Sequence, residues 1–241
     1  MVSKHPPGVA NDFSAVQSFL LEKGIIPKNA PASLIQTARR IHISTYSLIL
    51  WRFRLRGLPK HGSVFVEEIA SDALQVLPQV MMGFGKSATL LTRGIIENAL
   101  RHSYFLDHPI EFHRMNREAK WFMTVEALIE YGKNHPIFFD IGQRYSVFNL
   151  ISSLYSELSA AVHGRRVSDL EMRTALSRIS YDQSAATKHA DAIVKAAEMT
   201  NFVLAMLHRP QMEKFESEDK SVILRSMPAV ARSLWREHES N

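Results

Sequence analysis

Apolar residues recur at the three-to-four-residue spacing of an α-helix in every strong periodic segment of this 241-residue chain. That period constrains the fold more than any other feature, because a helical stripe cannot line one face of a sheet. One stretch, 51–56, alternates apolar and basic residues as a strand would. It is short and isolated, and it reads as a helix end, where Arg52, Arg54 and Arg56 suit the negative end of the helix dipole.

The punctuation agrees with the period. Asn11 is placed to cap a first helix carrying Phe13, Val16, Phe19 and Leu20, with Gly24 beyond its end. Ser33 and Gln36 form a capping-box pattern that opens a helix running towards Gly57. Further helices are expected over 64–77, 86–106, 110–131, 143–163, 168–179 and 185–207, with Gly164 as a C-terminal glycine and a last short helix carrying Leu234 and Trp235. The expectation is an all-α, single helical bundle of about seven to eight helices, one domain over 1–241. Its core covers about 33–209, between an N-terminal helix and linker (1–32) and a C-terminal tail with a short helix (210–241).

Absences narrow the chemistry. The chain has no cysteine, which excludes disulfides, thiolate nucleophiles and zinc ribbons. His-Glu-x-x-His and paired Glu-x-x-His patterns are missing, and the glycines of 81–87 lack the spacing of a phosphate loop, so neither a metal nor a cofactor is expected. Residues 1–12 hold no apolar signal segment, and the longest apolar run is far shorter than the roughly 20 residues of a membrane span, so the expected location is cytoplasmic, with no membrane.

The formal net charge of +5 is unevenly placed. Residues 23–66 contain no Asp or Glu, yet include Lys23, Lys28, Arg39, Arg40, Arg52, Arg54, Arg56 and Lys60. Such a block either forms a patch for phosphates, RNA or an acidic partner, or is a solvated face whose acidic complement comes from elsewhere in the fold.

Two helices carry the chemical lead. On the first, Arg93, Glu97 and Arg101 recur at four-residue steps with Tyr104 beyond them, forming one charged stripe among apolar neighbours. On the second, Tyr145, Asn149, Ser152, Ser156, Ser159 and His163 form a stripe of small polar groups beside the apolar face of Val147, Leu150, Ile151, Leu154, Leu158 and Ala161. If the helices face each other, Arg93 and Glu97 can meet His163, with Arg165 and Arg166 following at once. His163 lies at a helix C-terminus, where the dipole favours protonation.

The segments RGIIENALRHSYFL and YSELSAAVHGR together resemble a bacterial family of helical proteins grouped with the HEPN superfamily. The resemblance covers roughly residues 90–166. It implies a compact, often dimeric bundle from toxin, abortive-infection and phage-defence settings. Active members are metal-independent ribonucleases that cut with an Arg and a His, the adjacent 2′-hydroxyl being the nucleophile. HEPN nucleases carry Arg-x4-6-His on one helix, and here Glu157, Leu158 and Ser159 occupy the slots before His163. The spacing is met instead by Arg56/His61, Arg101/His108 and Arg232/His238. Two carry-overs stay open: the Arg101/His108 pair on one helix, and a site spread over two helices.

The preferred expectation is the spread site. Arg93, Glu97 and His163 would be catalytic, and Arg101, His102, Ser156, Ser159, Arg165 and Arg166 substrate-binding. Arg93 would hold a phosphate bidentately, Glu97 would orient it, and His163 would act as acid or base. The partners implied are RNA, a second copy in a homodimer, and a protein encoded nearby. The alternative is a non-catalytic helical interaction module in which Arg93–Glu97 is only a core ion pair.

Overall fold

A computed structural model describes residues 7–164, 175 and 179–237. Among these are twelve α-helices and one short 3-10 turn: α1 (Pro7–Glu22), α2 (Ala32–Arg54), α3 (Lys60–Met81), α4 (Gly85–Asp107), α5 (Pro109–Arg117), α6 (Val125–Asn134), α7 (Pro136–Phe139), α8 (Val147–His163), α9 (Gln183–Leu207), α10 (Arg209–Met212), α11 (Ser217–Arg225) and α12 (Ala229–Glu237). The all-helical expectation holds, but the count exceeds seven to eight. The stretch read as one helix over 110–131 is two, separated by 118–124, and the tail folds into three short helices. The helix expected over 168–179 lies outside the described residues. No described helix is long and apolar enough to cross a membrane.

The four longest helices close a ring: α2 packs on α3, α3 on α4, α4 on α9, and α9 back on α2. Helices α6 and α8 then pack on α4 and on each other. Their shared interior buries Trp51, Ile69, Ile95, Leu100, Phe202 and Trp235, and a second cluster gathers Phe13, Leu20, Ile41, Val76 and Ile193. The terminal helices α1 and α12 thus supply core side chains on both sides of the 33–209 stretch. Fully burying each large apolar side chain contributes about 1.5–3 kcal/mol.

Several boundaries differ from expectation for local reasons. Helix α1 begins at Pro7, so Asn11 is an exposed residue inside it rather than a cap. Helix α2 starts after Pro31, which puts Ser33 in its first turn. Helix α3 continues through Pro78 to Met81. The carbonyl that the missing proline N–H would bond belongs to Leu74, a 55% exposed residue on the solvent side, where water can serve it. The turn between α3 and α4 needs Gly83, because its φ is 81° and a Cβ there would collide with the Ser180 backbone.

Two arginines of the basic block of 23–66 find acidic partners across the fold. Arg40 pairs with Asp191 of α9 at 2.5 Å, and Arg54 pairs with Asp219 and Glu216 at α11. Arg39 and Arg56 lie over the rings of Phe13 and Phe53.

Candidate functional site

Helix α4 buries Ile95, Ile96, Ala99, Leu100 and Phe105 and leaves half-buried a stripe of Arg93, Glu97, Arg101, Tyr104 and His108. The spacing of four, four, three and four residues keeps these side chains on one face. Helix α8 packs against α4 and delivers the second half of the site. Its C-terminus is set by Gly164, in the left-handed region at φ 58°.

The guanidinium of Arg93 is the hub. Its Nε–H is shared between Glu97 Oε1 at 2.8 Å and the Tyr155 hydroxyl at 3.0 Å. One terminal nitrogen donates to Tyr155 at 2.7 Å, and the other meets His163 Nε2 at 3.3 Å. The Tyr155 hydroxyl in turn donates to Glu97 Oε1 at 2.8 Å. Arg93 also lies over the Tyr155 ring, 4.9 Å from its centroid. The three expected catalytic residues are therefore brought together. A guanidinium only donates, so in this contact His163 Nε2 is the accepting atom. Among the described residues, Arg93 keeps one N–H on each terminal nitrogen for a further acceptor.

Tyr155 escapes a reading of the sequence alone. The available signal is its position eight residues before His163, the same step that separates Arg93 from Arg101. Burial and the neighbouring Glu97 carboxylate push its phenol pKa up, which keeps the hydroxyl protonated.

The remaining expected residues divide. Arg101 stays on the stripe and leans back to Glu97 at 3.6 Å. Ser156 is exposed on α8. Ser159 is buried, its hydroxyl lacking a hydrogen-bond partner, so it does not reach substrate. His102 is fully buried on another face of α4, about 100° round the helix from Arg101, and is corrected to a core residue. Arg165 and Arg166 lie outside the described residues. On α8, Asn149, Leu150, Ser152, Ser153 and Ala161 are exposed, so most of the small polar stripe faces outward rather than towards α4.

The Arg101/His108 pair shares the stripe but is held apart by Tyr104. His108 stacks on the Tyr104 ring at 4.1 Å, and its Nδ1–H donates to the Tyr104 carbonyl at 2.8 Å, closing the end of α4. Beyond it, Asp107 accepts from the Tyr131 hydroxyl at 2.5 Å and from His135 Nε2 at 3.0 Å.

A further acid adjoins the cluster. Asp72 of α3 is 7% exposed and faces Gly94, where any Cβ would collide with its carboxylate. Burial, with Glu68 and Glu97 nearby, raises its pKa from 3.8 to about 7. Among the described residues, no group of three or more His, Asp and Glu side chains stands ready to hold a metal ion.

Glu97→Ala is expected to lower stability by about 1–3 kcal/mol, since it strips a half-buried guanidinium of its charged partner. The double change Arg93→Met with Glu97→Leu should recover much of that loss. Chemical denaturation of the three proteins checks this. A single variant as stable as the wild type would make the pair an ordinary surface contact.

Comparison with protein-family models, with curated proteins and with solved structures finds no match in any of the three.

Proposed function

We propose that the protein is a HEPN-like bacterial effector of the toxin, abortive-infection or phage-defence type, acting as a metal-independent endoribonuclease at the α4–α8 cluster. The observation that supports this best is the 3.3 Å approach of the Arg93 guanidinium to His163 Nε2 across two helices. It sets an imidazole beside a cation whose remaining N–H groups match the oxygens of a phosphodiester.

In this reading His163 Nε2 removes the proton from an RNA 2′-hydroxyl. The 2′-oxygen attacks the adjacent phosphorus while Arg93 neutralises the charge developing on its oxygens. The bond from phosphorus to the 5′-oxygen breaks, and Tyr155 supplies the proton that the departing oxygen takes. Glu97 orients Arg93 through Nε, and the proton taken up by His163 passes to solvent while Tyr155 regains one from solvent, restoring both groups. The products are a 2′,3′-cyclic phosphate and a 5′-hydroxyl.

Single-stranded RNA incubated with the purified protein in excess EDTA should yield those two end groups, read by end-labelling and mass spectrometry. Cleavage abolished by EDTA, or 3′-hydroxyl and 5′-phosphate ends, would contradict the mechanism, and no cleavage of any RNA would remove the enzyme reading.

The outer face of α8 favours a second reading, a dimerising or partner-binding module. Leu150 is 48% exposed there among Asn149, Ser152, Ser153 and Ser156, small groups over which another helix can approach closely.

A further inference from the structure

A cleft of about 370 Å³ opens between α6, α7 and the start of α8, about 24 Å along that helix from His163. That size accommodates a small organic ligand. Three aromatic rings build its apolar part. Phe138 is 2% exposed, Phe148 lies against Gly132, where a Cβ would collide with its ring, and Phe139 stands 60% exposed to solvent.

The polar part of the cleft holds donors that lack acceptors. Ser146, at the N-cap position of α8, turns its hydroxyl to the Gly142 carbonyl at 2.8 Å, and the helix has no acidic residue in its first turn. The Val147 N–H closes a tight turn onto the Tyr145 carbonyl, and the Phe148 N–H finds no acceptor among the described residues. Tyr145 lines the cleft with 9% of its surface exposed. Its ring packs edge-on against Phe202, and its hydroxyl has no hydrogen-bond partner among the described residues. Burial and Glu198 raise its pKa to about 12, so the hydroxyl keeps its proton and is available as a donor. A polar group left unpaired in a buried side chain is costly, and it is uncommon enough to need an explanation. The acids around the cleft already have cations or donors of their own. Glu130 accepts from Asn134 at 2.9 Å and faces Lys133 at 3.9 Å, and Glu237 pairs with Arg144. Glu198 has Arg40, Arg232 and Lys195 near it, and Asp140 is exposed and is not among the walls. What stays unmatched is the positive end of the α8 dipole and these donors.

We propose that the cleft binds a small aromatic carboxylate, its charged end received by the Phe148 N–H and the Tyr145 hydroxyl and its ring by Phe138, Phe139 and Phe148. A carboxylate only accepts, and it carries the charge that a helix N-terminus favours, so it meets the groups that the fold leaves unpaired. The Lys133 ammonium, which also lines the cleft, supports the same charge. A neutral amide of the same shape accepts through one oxygen and gains no charge complementarity. An ammonium would set donors against donors.

The test is calorimetric titration of the full chain with phenylacetate, phenylacetamide and phenethylamine, with helicity checked for each variant. Phenylacetate is expected to bind at least about tenfold more tightly than phenylacetamide, with phenethylamine weakest. Tyr145→Phe, which keeps the ring against Phe202, should lower phenylacetate affinity by about tenfold. Phe139→Ala, at an exposed position, should weaken the binding of all three. Equal affinities for carboxylate and amide, no binding of any of the three to the wild type, or a phenylacetate affinity unchanged in either variant would each overturn the assignment.

Discussion

Acidification from pH 6.5 to about 4 is expected to remove several kcal/mol of stability, because two core imidazoles must take up protons that the fold rejects. His102 Nδ1–H donates to the Gly62 carbonyl at 3.0 Å, which leaves its Nε2 to accept from His208 Nε2 at 2.6 Å. The pair ties α4 to the start of α3 and to the junction of α9 and α10. Burial lowers His102 to about 4, and burial followed by the neighbouring His102 lowers His208 to about 3, both from 6.5. Between those values and 6.5 the unfolded chain binds more protons than the folded one, so stability falls as the pH falls. Each tenfold loss of proton affinity corresponds to about 1.4 kcal/mol, so the two groups together threaten a large share of the roughly 5–15 kcal/mol typical of a domain. Circular dichroism should show an acid transition inside this window. The double variant His102→Leu with His208→Met should move it to lower pH. An unmoved transition, or histidine resonances of these two residues titrating near 6.5, would contradict this coupling.

Asp72 acts in the opposite direction. Its folded pKa of about 7 lies above the ordinary 3.8, so the folded state holds this proton through a range where the unfolded chain releases it. Stability therefore declines as the pH rises from 3.8 to about 7, and the penalty persists above. Asp72→Asn keeps the shape and removes the charge. It is expected to stabilise the protein by a few kcal/mol above neutrality and by little near pH ~4, measured by urea denaturation at both ends. A gain that does not depend on pH would show that Asp72 is not protonated in the fold. In the wild type the two effects oppose each other below neutrality. The histidine pair prevails, because two groups shift in the destabilising sense against one.

The helix period makes the long helices legible, and with them the stripe on α4. It does not show the break at 118–124, where Trp121 and Phe122 continue the apolar content without continuing the helix. Proximity in sequence misplaces His102: adjacent to Arg101, it is turned about 100° away and into the core. Glu97, Arg93 and His163 are readable because four-residue steps and a terminal glycine fix their faces. Tyr155 is not, since an aromatic residue inside an apolar helix reads as core until its hydroxyl is seen to bond. The basic block of 23–66 shows a further limit of local reading. Asp191, Glu216 and Asp219, which answer Arg40 and Arg54, lie more than a hundred residues away.

The α4–α8 cluster is tested most directly by comparing RNA cleavage and thermal melting of the wild type with those of His163→Gln. His163 is exposed at the end of α8, so its replacement should leave the melting temperature unchanged. Loss of a general base should lower the cleavage rate by about a hundredfold or more. A His163→Gln protein that melts normally and cleaves RNA at the wild-type rate would contradict the assignment.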